Sequence, residues 1–280
     1  MEHPLNARLL QKRIDVHLIG VGGGGAQMAG CLARLDIALR SLGHPHGLSV
    51  VAYDPGTVRA ANVGRQVYSP ADIGQFKAIV TIERINQFFG LNWRAWPEAA
   101  PLQWNRHGGQ PDIIISCVDT RSARRAIHQR LFEQAHAVSY WLDLGNRETD
   151  GQVCLGQPPR AGLDEAMRLP CITELYPEIL RPQPNEDAAP SCSVRMALAS
   201  QGLFVNDMAV RYAAQLLYQL FSTGRLAQHA ALFNLDSLCS AGLAVDPATW
   251  RRFGVERPAQ PATQAVSATD PVPAAAPAQP

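Results

Sequence analysis

Short apolar runs that stop at a glycine or an acid alternate along this chain with longer stretches whose apolar residues recur every three or four positions. The run IDVHLIG, residues 14–20, is apolar, contains β-branched residues and ends at glycines, which suits a buried parallel strand. AQMAGCLARLDIALRSLG follows with apolar residues at helical spacing and stops at Gly43, predicting a helix of about four turns. Residues 48–54, LSVVAYD, read as a second strand with an acid at its carboxyl end, QFKAIVTIERINQFFG as a second helix and LNWRAWP as a weak strand. PDIIISCVD, residues 111–119, is the most apolar strand, and RSARRAIHQRLFEQAH supplies the helix behind it. SYWLDLGN and GQVCLGQP predict two further strands joined by the turn RETDG. A long helix from about Cys192 to Leu220 and a final strand pair in AALFNLDSLCSAGLAVDP complete the pattern.

Strands alternating with helices predict an α/β fold: a doubly wound, mostly parallel, Rossmann-like sheet in one domain over residues 14–257, preceded by an N-terminal segment, 1–13. In such a sheet the ligand sits outside the carboxyl ends of the strands, which here carry Gly20, Asp54 and Asp119. Residues 158–191 are rich in proline and predict a long irregular crossover. Residues 258–280 form a Pro/Ala-rich tail with too few large apolar side chains to offset its ordering entropy, so disorder is expected there.

Composition narrows the partners. Lys and Arg total 25 against 24 Asp and Glu, so no basic field favours nucleic acid. Six cysteines lie scattered without close pairs, and the N-terminus has no apolar signal core, which points to a reduced, cytoplasmic protein. No apolar run reaches the roughly 18 residues of a membrane-spanning helix, so no membrane partner is expected.

The glycines at 20, 22 and 25 satisfy G-x-G-x-x-G between a strand and a helix, where backbone N–H groups can cradle phosphate. Asp54, closing the second strand, suits ribose hydroxyls and fits NAD, FAD and ATP alike. The residues beyond Asp54 separate these choices. GVGGGG, DPGTVRAANVGRQ, GQFK and CVDTRSAR, in that order, resemble the ThiF/MoeB/HesA family, adenylating enzymes related to ubiquitin-activating enzymes. The family's G-x-G-G-x-G falls on Gly20, Gly22, Gly23 and Gly25. Its later motifs fall on Asp54, on Asn62, Arg65 and Gln66, on Lys77, and on Asp119 with Arg124. A narrower likeness is to the ThiF-like member of the PRTRC gene system, which LAVDPATWRRFG near the end also fits.

The resemblance implies ATP-dependent adenylation of the carboxyl terminus of a ubiquitin-like or sulfur-carrier protein. Arg65 and Lys77 would contact the phosphates, Asn62 would help position them, Asp119 would hold Mg²⁺, and the enzyme would be a homodimer. Two departures are Ala61, where the family usually has Ser, and Thr120, where Asn commonly follows the Asp. Many relatives hold zinc through two C-x-x-C pairs, but this chain has no C-x-x-C, so no zinc is expected. Two other readings stay open: an NAD- or FAD-dependent oxidoreductase, and a non-catalytic binding module on a degenerate adenylation fold.

Cys192 stands at a predicted helix start, where the helix dipole would favour a thiolate, and where some relatives place a thioester-forming cysteine. A small packed residue is the alternative. Cys171 is a second, weaker candidate, and Cys31, Cys117, Cys154 and Cys239 are expected in the core.

Overall fold

The structure, a computed structural model, describes residues 1–100, 109–181 and 202–258. Eight strands form one sheet: β1 (Ile14–Ile19), β2 (Leu48–Tyr53), β3 (Arg94–Trp96), β4 (Ile113–Ser116), β5 (Tyr140–Asn146), β6 (Asp150–Gly156), β7 (Gln228–Asn234) and β8 (Cys239–Ala244). Their spatial order is β8-β7-β6-β5-β4-β1-β2-β3. The neighbours from β3 to β5 run parallel, and β6, β7 and β8 add antiparallel ladders beyond β5. Among the described residues the helices are α1 (Gly23–Ser41), α2 (Lys77–Phe89), α3 (Arg121–Phe132), a single turn α4 (Ile172–Leu175), α5 (Val205–Thr223) and a last single turn α6 (Pro247–Trp250).

Period-two alternation in the central strands feeds two cores. Val16, Leu18, Val50, Ala52, Ile113 and Ile115 face one way, against apolar residues of α1, α2 and α5. Ile19 and Ile114 face the other way and pack with Ile127 and Leu131 of α3, Ile172 of α4 and Trp250. Both faces of the parallel strands are thus covered, which explains why these strands read as continuous apolar runs. Helix α1 opens at Gly23, three residues before the predicted apolar stretch, because the glycines after Gly22 are already helical. Strand β4 ends at Ser116, leaving 117–120 as the segment that crosses the sheet's carboxyl edge.

Residues 1–13 pack onto the domain. His3 and Pro4 pair with Leu226 and Arg225 in a two-residue antiparallel ladder, and Leu5 and Leu9 are buried. In the crossover, the described part holds α4 and a following 3-10 turn. The predicted beginning of the long helix, with Cys192, lies outside the described residues, as do residues 259–280 of the tail. Among the described residues, no helix is long and apolar enough to cross a membrane.

Three buried histidines give the fold a pH dependence. His229 accepts the Trp250 indole N–H at Nε2 (3.0 Å) while its Nδ1 meets the Leu155 carbonyl (3.1 Å), so the ring is held neutral. Burial pushes His3, His17 and His229 down to about 4, from an ordinary 6.5. Between those values the unfolded chain binds more protons than the folded one, so stability falls as pH drops from 6.5 towards 4. The slope is at most about 1.4 kcal/mol per pH unit for each ring. The urea midpoint is expected to be lower at pH 5 than at pH 7, and His229→Gln, whose amide oxygen can still accept from Trp250, should flatten that difference. Equal wild-type midpoints would contradict this account.

Candidate functional site

The glycine turn between β1 and α1 is shaped by close approach. Gly20 has φ +86°, and a Cβ there would lie 2.7 Å from the Cys117 carbonyl oxygen. A Cβ on Gly25 would run into the Gly20 carbonyl, so the third motif glycine lets α1 start hard against the turn. Gly25→Ala is therefore expected to lower stability by at least about 1–3 kcal/mol, measured by urea unfolding. Gly22 is the N-cap of α1 and provides no side-chain cap, so the positive end of the helix is left to an anion.

Asp54, just after β2, fastens this turn. Its Oδ2 accepts from the Val21 N–H at 2.6 Å and its Oδ1 from the Gly56 N–H at 2.7 Å. The loop from Asp54 to Lys77 is held against the turn by Tyr68, whose hydroxyl donates to the Val21 carbonyl at 2.6 Å. Asp72 further braces it by accepting from Ser69 and from Arg84. A loop whose regular structure is two short 3-10 turns, Ala60–Asn62 and Pro70–Asp72, thereby carries Arg65 and Gln66 to a fixed place.

Beside the turn lies a cavity of about 470 Å³, within the range of small-molecule sites. Gly22, Gly23, Gly24, Asp54, Arg65, Lys77 and Asp119 line its polar part, and Ala123, Ala126 and Ile127 of α3 line an apolar part. Lys77 is the first residue of α2, where the helix dipole disfavours a cation. Burial pushes the Lys77 ammonium down, Asp54 and Asp119 oppose that shift, and Arg65 and Arg59 add to it. Burial likewise lowers Arg65, and Asp119 opposes it. Two partly desolvated cations therefore share one cavity with two carboxylates, an arrangement suited to a polyanion with a bound cation.

Of the residues expected at the site, Gly20, Gly22, Gly23, Asp54, Arg65, Lys77 and Asp119 meet around this cavity. Gly25 and Asn62 do not line it. Gly25 is packed beneath the turn, and the Asn62 side-chain oxygen accepts from the Arg59 N–H at 2.9 Å, capping the loop's 3-10 turn. Arg124, the last motif residue, is buried and bonded to Asp143 (3.1 Å) and to the Leu144 carbonyl (2.9 Å). Asp143 also accepts from Ser116 Oγ at 2.5 Å, which in turn accepts from Trp141. This buried network, across β4, β5 and α3, braces the wall behind Asp119.

Asn206 and Arg130 were not singled out by the motifs, yet both line the cavity. Asn206 accepts from Asn146 at 2.6 Å, and its amide lies 2.6 Å from where a Cβ on Gly23 would stand. For Asn206 the available signal is a polar pair, Asn206 and Asp207, inside the apolar run GLFVNDMAV; Arg130 has none, being one of several arginines of α3. Among the cysteines, Cys171 is fully buried, and burial pushes its thiol well up, against the thiolate that a thioester role requires. Cys31 and Cys154 are core, Cys117 lines the cavity, and Cys239 is exposed because β8 is the sheet's edge. Among the described residues, no three His, Cys, Asp or Glu side chains gather as a metal site.

The sequence profile of the ThiF family matches residues 6–249. A curated relative, ubiquitin-like modifier-activating enzyme 5 of Arabidopsis thaliana, is 25% identical over 155 residues, covering 49% of this chain and 33% of its own. Among solved structures, E. coli MccB superposes with a TM-score of 0.56 at 14% identity, covering 84% of this chain and 63% of that one. PaaA superposes with a TM-score of 0.54 at 16% identity, covering 83% and 64%. MccB has also been solved with ATP, and with MccA. The chain thus spans about a third of the curated relative and under two thirds of these solved chains.

Proposed function

The chain belongs to the ThiF family, and from that membership we propose that it uses ATP to adenylate the carboxyl terminus of a ubiquitin-like or sulfur-carrier protein, or of a peptide. The observation that carries the proposal is the pair of cations, Arg65 and Lys77, facing one cavity with the uncapped start of α1. A carboxylate oxygen of the partner attacks the α-phosphorus, a new P–O bond forms, and the α–β bridging bond breaks with its electron pair leaving on pyrophosphate. Negative charge grows on phosphate oxygens, which need fixed donors and cations. Arg65, Lys77 and the first N–H groups of α1 are those fixed charges, while the apolar wall on α3 takes the base. Hydride transfer requires no such cations, which weighs against an oxidoreductase.

Asp119 is exposed and lines the cavity. One carboxylate beside a phosphate cradle fits Mg²⁺, which commonly takes one or two protein carboxylates together with phosphate oxygens and water. The ion would neutralise phosphate charge, and Asp119 would hold it. The complexes of MccB with ATP and with MccA support the nucleotide and a peptide-like partner, and the curated relative's name supports a ubiquitin-like one. The homodimer, the cytoplasmic location and the PRTRC-associated branch belong to the same proposal, resting on the family resemblance, the five unpaired cysteines described and the closing segment LAVDPATWRRFG.

ATP–pyrophosphate exchange tests the reaction. With Mg-ATP and purified ubiquitin-like or sulfur-carrier proteins, labelled pyrophosphate is expected to enter ATP only when a carrier with a free carboxyl terminus is present. Exchange that ignores removal of the carrier's terminal residues would refute the proposal.

A further inference from the structure

A second cavity, of about 440 Å³, opens between α1, α5 and the loop that bears Arg65. Arg34 of α1, Arg211 of α5 and Arg65 line it, together with Val67, Leu203 and Phe204, each more than 40% exposed. Gly30 and Gly64 contribute no side chain, so backbone is accessible between these groups. Its acid is Asp207, which already accepts from the Gln27 amide at 3.0 Å. Arg211 donates to Cys31 Sγ at 3.1 Å, and no carboxylate described in the structure pairs with Arg34 or Arg211. Arg34 and Arg211 against one occupied carboxylate, beside exposed apolar side chains, make a surface complementary to acidic and apolar groups together.

Arg65 lines both this groove and the nucleotide cavity, so the two are continuous at one side chain. We propose that the groove docks an acidic stretch, interspersed with apolar side chains, of the protein or peptide whose carboxylate is activated. The inference rests on the adenylation reading for its partner, and on the groove alone for the chemistry of what it binds. A second copy of this chain suits the groove less well. A twofold contact centred on this face would set the same arginines against one another.

The test uses the full chain and a fluorescein-labelled peptide alternating Glu and Leu, beside its Gln-for-Glu counterpart. The acidic peptide is expected to bind at least about tenfold more tightly than the neutral one, and R34E/R211E to erase that preference. Neither residue lines the nucleotide cavity, so Mg-ATP affinity by calorimetry should be unchanged in the double variant. Equal affinity for both peptides, no binding of either, or a preference that survives R34E/R211E would overturn the proposal. So would a double variant that passes from dimer to monomer in sedimentation with its peptide affinity intact, which would assign the groove to a second copy. Charge-dependent peptide binding by a protein that fails to bind Mg-ATP would sink the adenylation reading and leave the groove standing.

Discussion

Lys77→Ala is expected to lower ATP–pyrophosphate exchange about 10²–10³-fold while leaving the protein folded, because it deletes a fixed charge where phosphate charge develops. The position itself argues for function. A lysine at the first residue of α2 opposes the helix dipole, and burial further disfavours its charge, so stability gives no reason to keep it there. Thermal melting of Lys77→Ala should match or slightly exceed wild type. Asp119→Asn should lose exchange in the same way, since an uncharged amide is a poor ligand for Mg²⁺. Full exchange in a folded Lys77→Ala protein would remove Lys77 from the proposed chemistry.

Asp143→Ala is expected to cost about 3–5 kcal/mol, since it leaves the buried Arg124 guanidinium without its counter-charge. The Ser116 hydroxyl would lose its acceptor as well, though its Oγ would still accept from the Trp141 indole. Urea unfolding measures the loss. The combined change Asp143→Leu with Arg124→Met should recover much of it, because removing both charges is far less costly than stranding one. A near-wild-type midpoint for Asp143→Ala would show that the network carries little of the fold.

The parts of this molecule legible in its sequence are those set by local pattern. Apolar runs such as IDVHLI and DIIIS became central strands because burial on both faces removes polar alternation. The glycine turn was legible because each close approach demands the absence of a side chain, as at Gly20 and Gly25. What stayed hidden depends on contacts between distant segments. Arg124 and Asp143 lie 19 residues apart, on a helix and a strand, and nothing local announces that they meet. Asn206 reaches the cavity only because α5 packs along α1. Cys239 reads as a core residue in an apolar segment, yet β8 is an edge strand and leaves it exposed. Asn62 matches a nucleotide motif, but its side chain caps the loop that carries Arg65, so its position bears on the site through that loop.

The central claim is that this cavity is built for a triphosphate and not for a dinucleotide. Isothermal titration of the wild-type chain, Arg65→Ala and Lys77→Ala with Mg-ATP, NAD and FAD tests it most directly. The account predicts that the wild type binds Mg-ATP more tightly than either dinucleotide, and that each substitution weakens Mg-ATP at least about tenfold. Tighter binding of NAD or FAD, or Mg-ATP affinity indifferent to both substitutions, would contradict it.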